Sequence, residues 1–254
     1  ISNVQASDLA NYRCVVTSTC DNTISLTSSA ASLASIPASP QPTRIYSLGS
    51  LSYDDGLLVG SHHAVAANTA FNAAVPDRFN IVNGALRRSS GSVIAPLKSI
   101  DQPNTTISFW VNLNNFGAGT RAFLGGANNN LPYHLMANGN QLYFQTNSGI
   151  TFVNANLPTT GWAHVAVVYQ GNTNTFYVNG QQTFTTTNGI NLSTNPIQSL
   201  MGLNTATSAD YLADDLRVFE SALTATQIEG IYANGEAVPH FAIAPIDEHA
   251  CVGG

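Results

Sequence analysis

The chain has 254 residues, of which 44% are hydrophobic and only 9% are charged, with a formal net charge of −6. The hydrophobic share is sufficient for a packed core. Only eight basic residues are present, which argues against nucleic acid as a partner, and no apolar run reaches the roughly 18 residues of a membrane-spanning helix.

The first 36 residues predict a few short strands. In the run from Tyr12 to Val16, alternate residues share one face of a strand, and Tyr12 stands two residues before Cys14. Residues 25–34 predict a second short strand. This segment resembles the tyrosine corner and penultimate strand of an immunoglobulin-like domain. The resemblance implies the C-terminal fragment of such a domain over residues 1–36.

Residues 37–43 are rich in proline and predict a stiff linker, and residues 44–236 form the main predicted domain. There, short β-branched and aromatic runs are separated by turn signals, a spacing that favours a sandwich. Segments 76–79 and 83–86 lead into the first core strands. The other predicted strands cover residues 45–48, 106–113, 121–124, 133–136, 141–145, 162–169, 176–178, 182–186, 199–203 and 211–219.

Two turns and one helix have clear local signals. Asn179-Gly180 is the strongest hairpin signal, because a type I′ turn needs positive φ at both central residues. Asn138-Gly139 joins another pair of strands. A helix is predicted over residues 224–232, where Thr224 and Gln227 fit a capping box and a glycine, Gly235, lies just beyond the expected end.

The lead-in at 76–86, the hairpin region at 162–180 and the strand and helix at 211–235 together resemble a laminin G-like (concanavalin A-like) jelly roll. The resemblance implies an all-β fold, a two-sheet antiparallel sandwich with one short C-terminal helix, and binding in place of catalysis. Residues 237–254 resemble a linker and the start of a following immunoglobulin-like module.

The distribution of carboxylates argues against an enzyme. Glycoside hydrolases of the same fold need two carboxylates on neighbouring positions of a central strand. From Gln102 to Ala209, however, the sequence contains neither Asp nor Glu. Since this window holds most of the predicted core strands, we expect no catalytic acid–base pair there.

Acidic residues near both ends of the domain are the metal candidates. In laminin G-like jelly rolls, an Asp of the closing strand often helps bind a structural Ca²⁺, together with oxygens from the loop after the first strand. The resemblance therefore implies Asp214, Asp54 and Asp55 as ligands of a structural calcium ion. Such an ion takes six to eight hard oxygen ligands.

A second interpretation needs no metal. Strand alternation places Asp214 on one face with Leu216, and Asp215 on the other face with Arg217. Asp215 could then pair with Arg217 or Arg44, and the acidic pair near the start of the domain would be an ordinary turn.

Tyr133, His134 and Asn129 are the candidate ligand-binding residues. Aromatic rings stack on sugar faces, and Asn amides bond hydroxyl groups, so this run could contact a glycan. The alternative is that Tyr133 and His134 are ordinary strand residues. A further histidine, His164, alternates with strand residues and is predicted to be packed and hydrogen-bonded.

The three cysteines, Cys14, Cys20 and Cys251, are disulfide candidates. Their odd number suggests a partner outside this sequence or in another copy. Their presence fits an oxidising compartment, and we expect an extracellular or cell-surface location.

Three functional hypotheses follow from the sequence. The first is a non-catalytic structural or adhesive segment of a large secreted or cell-surface protein, whose jelly roll binds a glycan or an extracellular protein. The second is a sugar-binding module of a carbohydrate-active enzyme. The third is a filament subunit, in which incomplete immunoglobulin-like ends are completed by neighbouring copies through strand addition.

Overall fold

The computed structural model describes residues 11–13, 15–17, 25–27, 31–32, 40–46, 48, 64–66, 72–88, 94–96, 98–114, 119–126, 132–202 and 210–236. The chain divides into two compact units. The smaller comprises residues 1–37 and 237–254, and the larger comprises residues 38–236.

Two short antiparallel ladders are formed by the described residues of the smaller unit. Strand β1 (Asn11–Tyr12) pairs with β4 (Ala31–Ser32), and β2 (Val15–Thr17) pairs with β3 (Ser25–Thr27). Strands therefore occur where the sequence predicts them around Tyr12 and after residue 25. The immunoglobulin-like identity of this segment stays a prediction.

The larger unit is built from fifteen described strands and one described helix, which follow one another along the chain. They are β5 (Arg44–Tyr46), β6 (Ala64–Ala66), β7 (Asn72–Val75), β8 (Ala85–Arg88), β9 (Ile94–Pro96), β10 (Asn104–Asn112), β11 (Thr120–Gly125), β12 (Tyr133–Asn138), β13 (Gln141–Thr146), β14 (Gly149–Asn156), β15 (Trp162–Gln170), β16 (Thr173–Val178), β17 (Gln181–Thr186), β18 (Ser199–Leu200), β19 (Tyr211–Phe219) and α1 (Ala225–Glu236).

These strands form two antiparallel sheets. The first has the order β17-β16-β15-β10-β19-β8-β7, with β5 also paired to β19, and the second has the order β14-β13-β12-β11-β18-β9-β6. One cluster of buried side chains, from both sheets, fills the space between them. Helix α1 packs Ile228 and Ile231 on the outer face of the first sheet, against a separate cluster that includes Val168 and Tyr177. The predicted two-sheet jelly-roll sandwich with a short C-terminal helix is confirmed.

The local signals at the Asn179-Gly180 turn and at the start of the helix are confirmed. Asn179 and Gly180 both have positive φ, 49° and 74°, as a type I′ turn requires. Thr224 accepts a hydrogen bond from the Gln227 backbone N–H at 3.3 Å, and the Gln227 side chain accepts one from the Thr224 N–H at 2.9 Å. This reciprocal pair is the predicted capping box.

The predicted end of the helix is wrong, since α1 runs through Gly235 to Glu236. Gly235 lies against the Trp110 ring, where an added Cβ would stand 2.7 Å from a ring carbon. The glycine is therefore required by the close approach of the helix to the sheet. Within the described part of the chain, no helix has the length and apolar character needed to cross a bilayer.

Three strands of the second sheet, β6, β9 and β14, are not among the predicted strands, and β14 is the longest of them. Its residues alternate between exposed positions and core positions such as Val153, and it lies at the edge of the sheet. This segment contains Asn and Gly, residue types that are depleted in strands, so its alternation is not evident from the sequence. Strand β14 contributes Ile150 and Phe152 to the outer face of the second sheet.

Candidate functional site

The outer face of the second sheet carries three aromatic side chains on neighbouring strands. Strand alternation sends Leu142 and Phe144 into the core and turns Tyr143 outward. Tyr143 lies opposite Phe152 in the β13–β14 ladder, with ring centroids 5.9 Å apart. Tyr133 packs against the same small outer cluster. Tyr133, Tyr143 and Phe152 are called the aromatic platform below.

The aromatic platform presents apolar surface to solvent chiefly through Phe152, because Tyr143 is only 6% exposed and Tyr133 is half-buried. Phe152 is 45% exposed and its neighbour on the same face, Ile150, is 53% exposed. Both side chains are large hydrophobic groups on a sheet face that no described element covers. Exposed apolar surface that is grouped in this way is typical of a binding surface.

Neutral amides surround the aromatic platform. Gln145 lies between Tyr133 and Ile150 in the strand register, and the exposed Asn154 follows Phe152 on the same face of β14. Between Gln102 and Ala209 the sequence holds a single charged residue, Arg121. Its guanidinium is buried and donates hydrogen bonds to the carbonyls of Asp210 at 3.0 Å and Gly139 at 2.6 Å. The face therefore combines apolar aromatic groups with neutral polar amides and carries no exposed charge.

A cleft of about 240 Å³ lies at the end of the sandwich where β13 turns into β14. One wall is the β13–β14 turn and the other is the loop after β17. Its lining consists of neutral side chains and backbone: Pro132, Thr146, Asn147, Ser148, Asn188, Gly189, Ile190 and Asn195. Pro132 directly precedes Tyr133, so the cleft is continuous in sequence with the aromatic platform.

The loop wall of this cleft is held by one buried amide. Asn174 donates to the Ile190 carbonyl at 3.0 Å and accepts from the Ile190 N–H at 2.6 Å. Gly189 passes so close that an added Cβ would lie 2.1 Å from the Asn174 oxygen. Next in the loop, Asn191 accepts from the Ser193 N–H at 3.0 Å. The wall is thus fixed before any ligand arrives.

We expect Asn174→Ala to lower the free energy of unfolding by about 2 kcal/mol, because the buried N–H and C=O of Ile190 would lose their partner. Urea unfolding measures the change. The exposed Asn188→Ala is the control and should stay within about 0.5 kcal/mol of wild type. Equal stability of the two variants would show that Asn174 does not hold the loop.

Tyr133 and His134, predicted together as ligand contacts, lie on opposite faces of the second sheet. Tyr133 is half-buried on the outer face, whereas His134 is 0% exposed and lies edge-on to the core residue Tyr169, with centroids 6.0 Å apart. His134 is therefore a core residue, and its prediction as a ligand contact is wrong. Burial lowers its pKa to about 3.

His164 is packed, as the sequence predicts, but no hydrogen bond to its ring nitrogens is found among the described residues. It lies on the outer face of the first sheet, 5.3 Å from the Trp110 ring centroid and 6.1 Å from that of Tyr232. Burial is the main cause that lowers its pKa to about 3. The ring is neutral at physiological pH.

Asp214 does not share a face with Leu216, contrary to the predicted alternation. Ala213 and Leu216 both belong to the central core although they are three residues apart. The register shifts in the β10–β19 ladder between Ser108 and Trp110, and Asp215 has a φ of 51°. This β-bulge keeps Asp214 and Asp215 out of the core and on the side of Trp110.

The carboxylates of this bulge bind Arg78. Arg78 Nη1 donates to Asp214, and Nη2 donates to Asp215 at 3.2 Å. The same guanidinium lies 4.5 Å from the Phe79 ring centroid and 4.9 Å from that of Trp110, and its Nε donates to the Gly235 carbonyl at 3.3 Å. Arg78 therefore ties the bulge to the end of the helix, a role that no local sequence signal indicates.

Asp215 pairs with Arg217, one of its two predicted partners, which donates to it at 2.6 Å. The other predicted partner, Arg44, donates to Glu220 at 3.1 Å. Burial raises the pKa of Asp214 to about 7, and the neighbouring Arg78 acts in the opposite direction.

Several predicted site residues lie outside the described residues. They are Asp54, Asp55, Asn129, Cys14, Cys20 and Cys251. In the described ranges, no group of three or more His, Cys, Asp or Glu side chains could hold a metal ion. A structural Ca²⁺ stays a prediction, and the only one of its three proposed ligands that is described, Asp214, is bound by a guanidinium.

Several solved structures share the fold of the larger unit. Domain 4 of AbnA, a GH43 extracellular arabinanase from Geobacillus stearothermophilus in complex with arabinotriose, has a TM-score of 0.60 at 18% identity. The similarity covers 76% of this chain and 98% of that domain. Trypanosoma rangeli sialidase in complex with 2,3-difluorosialic acid has a TM-score of 0.56 at 14% identity, and covers 78% of this chain but 34% of the sialidase.

A third similar structure is the binding domain of Paraclostridial Mosquitocidal Protein 1, with a TM-score of 0.52 at 15% identity over 76% of this chain and 52% of that domain. This chain thus spans about a third of the sialidase and half of the toxin domain. No curated protein matches the sequence. The profile of the concanavalin A-like lectin/glucanase superfamily (Laminin_G_3) matches residues 86–229, more than half of the chain, and the chain therefore belongs to this superfamily.

Proposed function

We propose that the larger unit is a non-catalytic glycan-binding module of a secreted or cell-surface protein. The observation that carries the proposal is the aromatic platform of Tyr133, Tyr143 and Phe152, surrounded by uncharged amides. Sugar rings have apolar faces and a rim of hydroxyl groups. An exposed aromatic ring suits the former, and amides, which donate and accept hydrogen bonds, suit the latter.

The absence of carboxylates from this face supports binding over hydrolysis. Hydrolysis by the usual route needs an acid and a base or nucleophile about 5–9.5 Å apart at the scissile bond. Neither the aromatic platform nor the lining of the cleft includes an Asp or a Glu. Superfamily membership fits both lectins and glucanases, and the chemistry of this face favours the lectin role.

The secreted or cell-surface location is supported by composition and by similarity of fold. The chain is poor in charge and rich in neutral polar residues, and the AbnA domain, which shares the fold, comes from an extracellular enzyme. An adhesive role in a larger protein is consistent with a module that holds a glycan.

The test is a binding screen of the full 254-residue chain against neutral oligosaccharides, beginning with arabinotriose, xylotriose and cellotriose. We expect Phe152→Ala to weaken binding about tenfold, since a ring that stacks on a sugar contributes on the order of 1 kcal/mol or more. Val82→Ala, which removes an exposed apolar side chain from a turn in the first sheet, is the control and should leave the affinity unchanged.

Two results would contradict the proposal. One is the absence of binding to every neutral glycan in the screen, and the other is equal affinity for wild type and Phe152→Ala. Release of reducing sugar from any polysaccharide by the pure chain would show catalysis instead. We expect chelation with EDTA to leave binding unchanged, because no carboxylate belongs to the aromatic platform.

A further inference from the structure

The cleft at the end of the aromatic platform is separate from the aromatic surface and has its own chemistry. Its walls come from the β13–β14 turn and from the loop after β17, and its lining contains no aromatic ring and no charge. Asn147 and Asn188 are exposed at opposite walls. Such a lining offers hydrogen-bond donors and acceptors to a polar, uncharged ligand.

The volume of the cleft limits the size of the ligand. About 240 Å³ is below the roughly 300–1,000 Å³ of pockets that enclose drug-sized molecules. The space therefore suits a small group, such as one sugar ring, and not a folded peptide or a nucleotide. A nucleotide or a sialic acid would also bring negative charge, and the lining provides no cation to receive it.

The wall of the cleft is rigid. The paired hydrogen bonds between Asn174 and Ile190 are buried, and Asn191 closes the next turn. A preformed polar wall reduces the ordering cost of binding. This rigidity distinguishes the cleft from a fortuitous gap between mobile side chains.

The strand register places the cleft beside the aromatic platform, just beyond the outward-facing Gln145, where β13 turns into β14. Gln145 pairs with both Tyr133 and Ile150, and the next residue of β13, Thr146, already lines the cleft. On β12, Pro132 lines the cleft and Tyr133 belongs to the platform. An oligosaccharide that contacts both would pass around the rim of the sheet at the β13–β14 turn.

We infer that the cleft is a second subsite that receives one uncharged sugar ring of an oligosaccharide whose adjacent rings lie on the aromatic platform. The inference rests on the proposed function and deepens it. It defines the ligand class as neutral oligosaccharides of at least two residues, bound without a metal ion. Anionic glycans are excluded because the segment from Gln102 to Ala209 has no cation other than the buried Arg121.

The test compares Asn147→Ala/Asn188→Ala with the control Gln181→Ala, which removes an exposed amide from the far end of β17. The probes are the mono-, di- and trisaccharides of whichever neutral series binds wild type. We expect the double cleft variant to bind the trisaccharide more weakly than wild type, by roughly twofold to tenfold for each hydrogen bond that is lost. Gln181→Ala should match wild type. A lactose and sialyllactose pair tests the exclusion of charge, with no measurable binding expected for the sialylated sugar.

A second readout reports on the cleft directly. Side-chain amide resonances of Asn147 and Asn188 should shift on titration with the trisaccharide, and the Asn188 shift should persist in Phe152→Ala at higher sugar concentration.

The outcomes separate the two proposals. If Phe152→Ala weakens binding and the double cleft variant does not, the glycan-binding function stands and the second subsite is wrong. If neither variant changes the affinity, or no neutral glycan binds, the proposed function fails. Equal affinity for sialyllactose and lactose would overturn the assignment of ligand class.

Discussion

Arg78→Ala should lower the free energy of unfolding by about 3 kcal/mol, because the buried carboxyl of Asp214 loses its cation and its charge must stay unpaired or be removed by protonation. The side chains of Arg78 and Asp214 are only 10% and 7% exposed. The variant also loses the contacts of the guanidinium with the Phe79 and Trp110 rings and its hydrogen bond to Gly235. For a domain of this size, the melting temperature should fall by roughly 6–12 °C.

Chemical unfolding of matched variants checks this expectation. Arg87→Ala removes a more exposed ion pair with Asp210, whose side chains are 44% and 26% exposed, and should cost less than about 1 kcal/mol. Adding Asp214→Asn to Arg78→Ala should recover part of the loss, since it removes the unpaired charge. A cost for Arg78→Ala no larger than that of Arg87→Ala would show that the pair does not stabilise the fold.

Mild acid should destabilise the protein through two buried histidines. Asp214 offsets part of this loss, because burial raises its pKa to about 7 and the folded state therefore takes up its proton first. His134 and His164 have folded-state pKa values of about 3, against the ordinary 6.5. As pH falls below about 6.5, the two histidines become protonated in the unfolded chain but stay neutral in the folded protein. The stability is therefore lost progressively between pH 6.5 and 3. At pH 5, each histidine should account for about 2 kcal/mol of lost stability, since one pH unit corresponds to about 1.4 kcal/mol.

Urea unfolding at pH 7, 6 and 5 measures this slope. His134→Leu and His164→Leu should each reduce the loss between pH 7 and 5 by about 2 kcal/mol, whatever their stability at pH 7. Tyr169→Phe is the matched control beside His134. Burial raises the pKa of Tyr169, which does not titrate in this range. Parallel profiles for wild type and both histidine variants would refute the prediction.

Features that depend on neighbouring residues could be predicted from the sequence. The turn at Asn179-Gly180 and the cap at Thr224 and Gln227 are set by a few adjacent side chains, and the sequence predicts both. The two-sheet architecture is also predictable, because each core strand carries its own hydrophobic alternation.

Features that depend on a partner strand could not be predicted. The bulge at Asp215 arises where β19 pairs with β10, and it reverses the face of Asp214 that alternation predicts. Arg78 and Asp214 are 136 positions apart in the chain. Nothing in the sequence around either residue predicts that the two form an ion pair. The irregular register of β12 between Tyr133 and Met136 likewise decides that Tyr133, and not His134, shares the outer face with Met136.

The candidate site shows the same division. Tyr133 could be selected from its chemistry alone. Phe152 could not, because it lies in the edge strand β14, whose Asn and Gly residues obscure its alternation. The cleft forms where the β13–β14 turn lies beside the loop after β17, some forty residues later in the chain. The sequence does not predict that these two segments are neighbours.

The nearly charge-free stretch between Gln102 and Ala209 has a consequence for how fast and where binding occurs. No local field draws a ligand toward this face, so encounter depends on diffusion alone, without the acceleration that opposite charges provide. For the same reason, dissolved ions have little to screen. Occupancy should then be nearly the same in dilute buffer and in brine, which makes the module suited to surroundings of changing salinity.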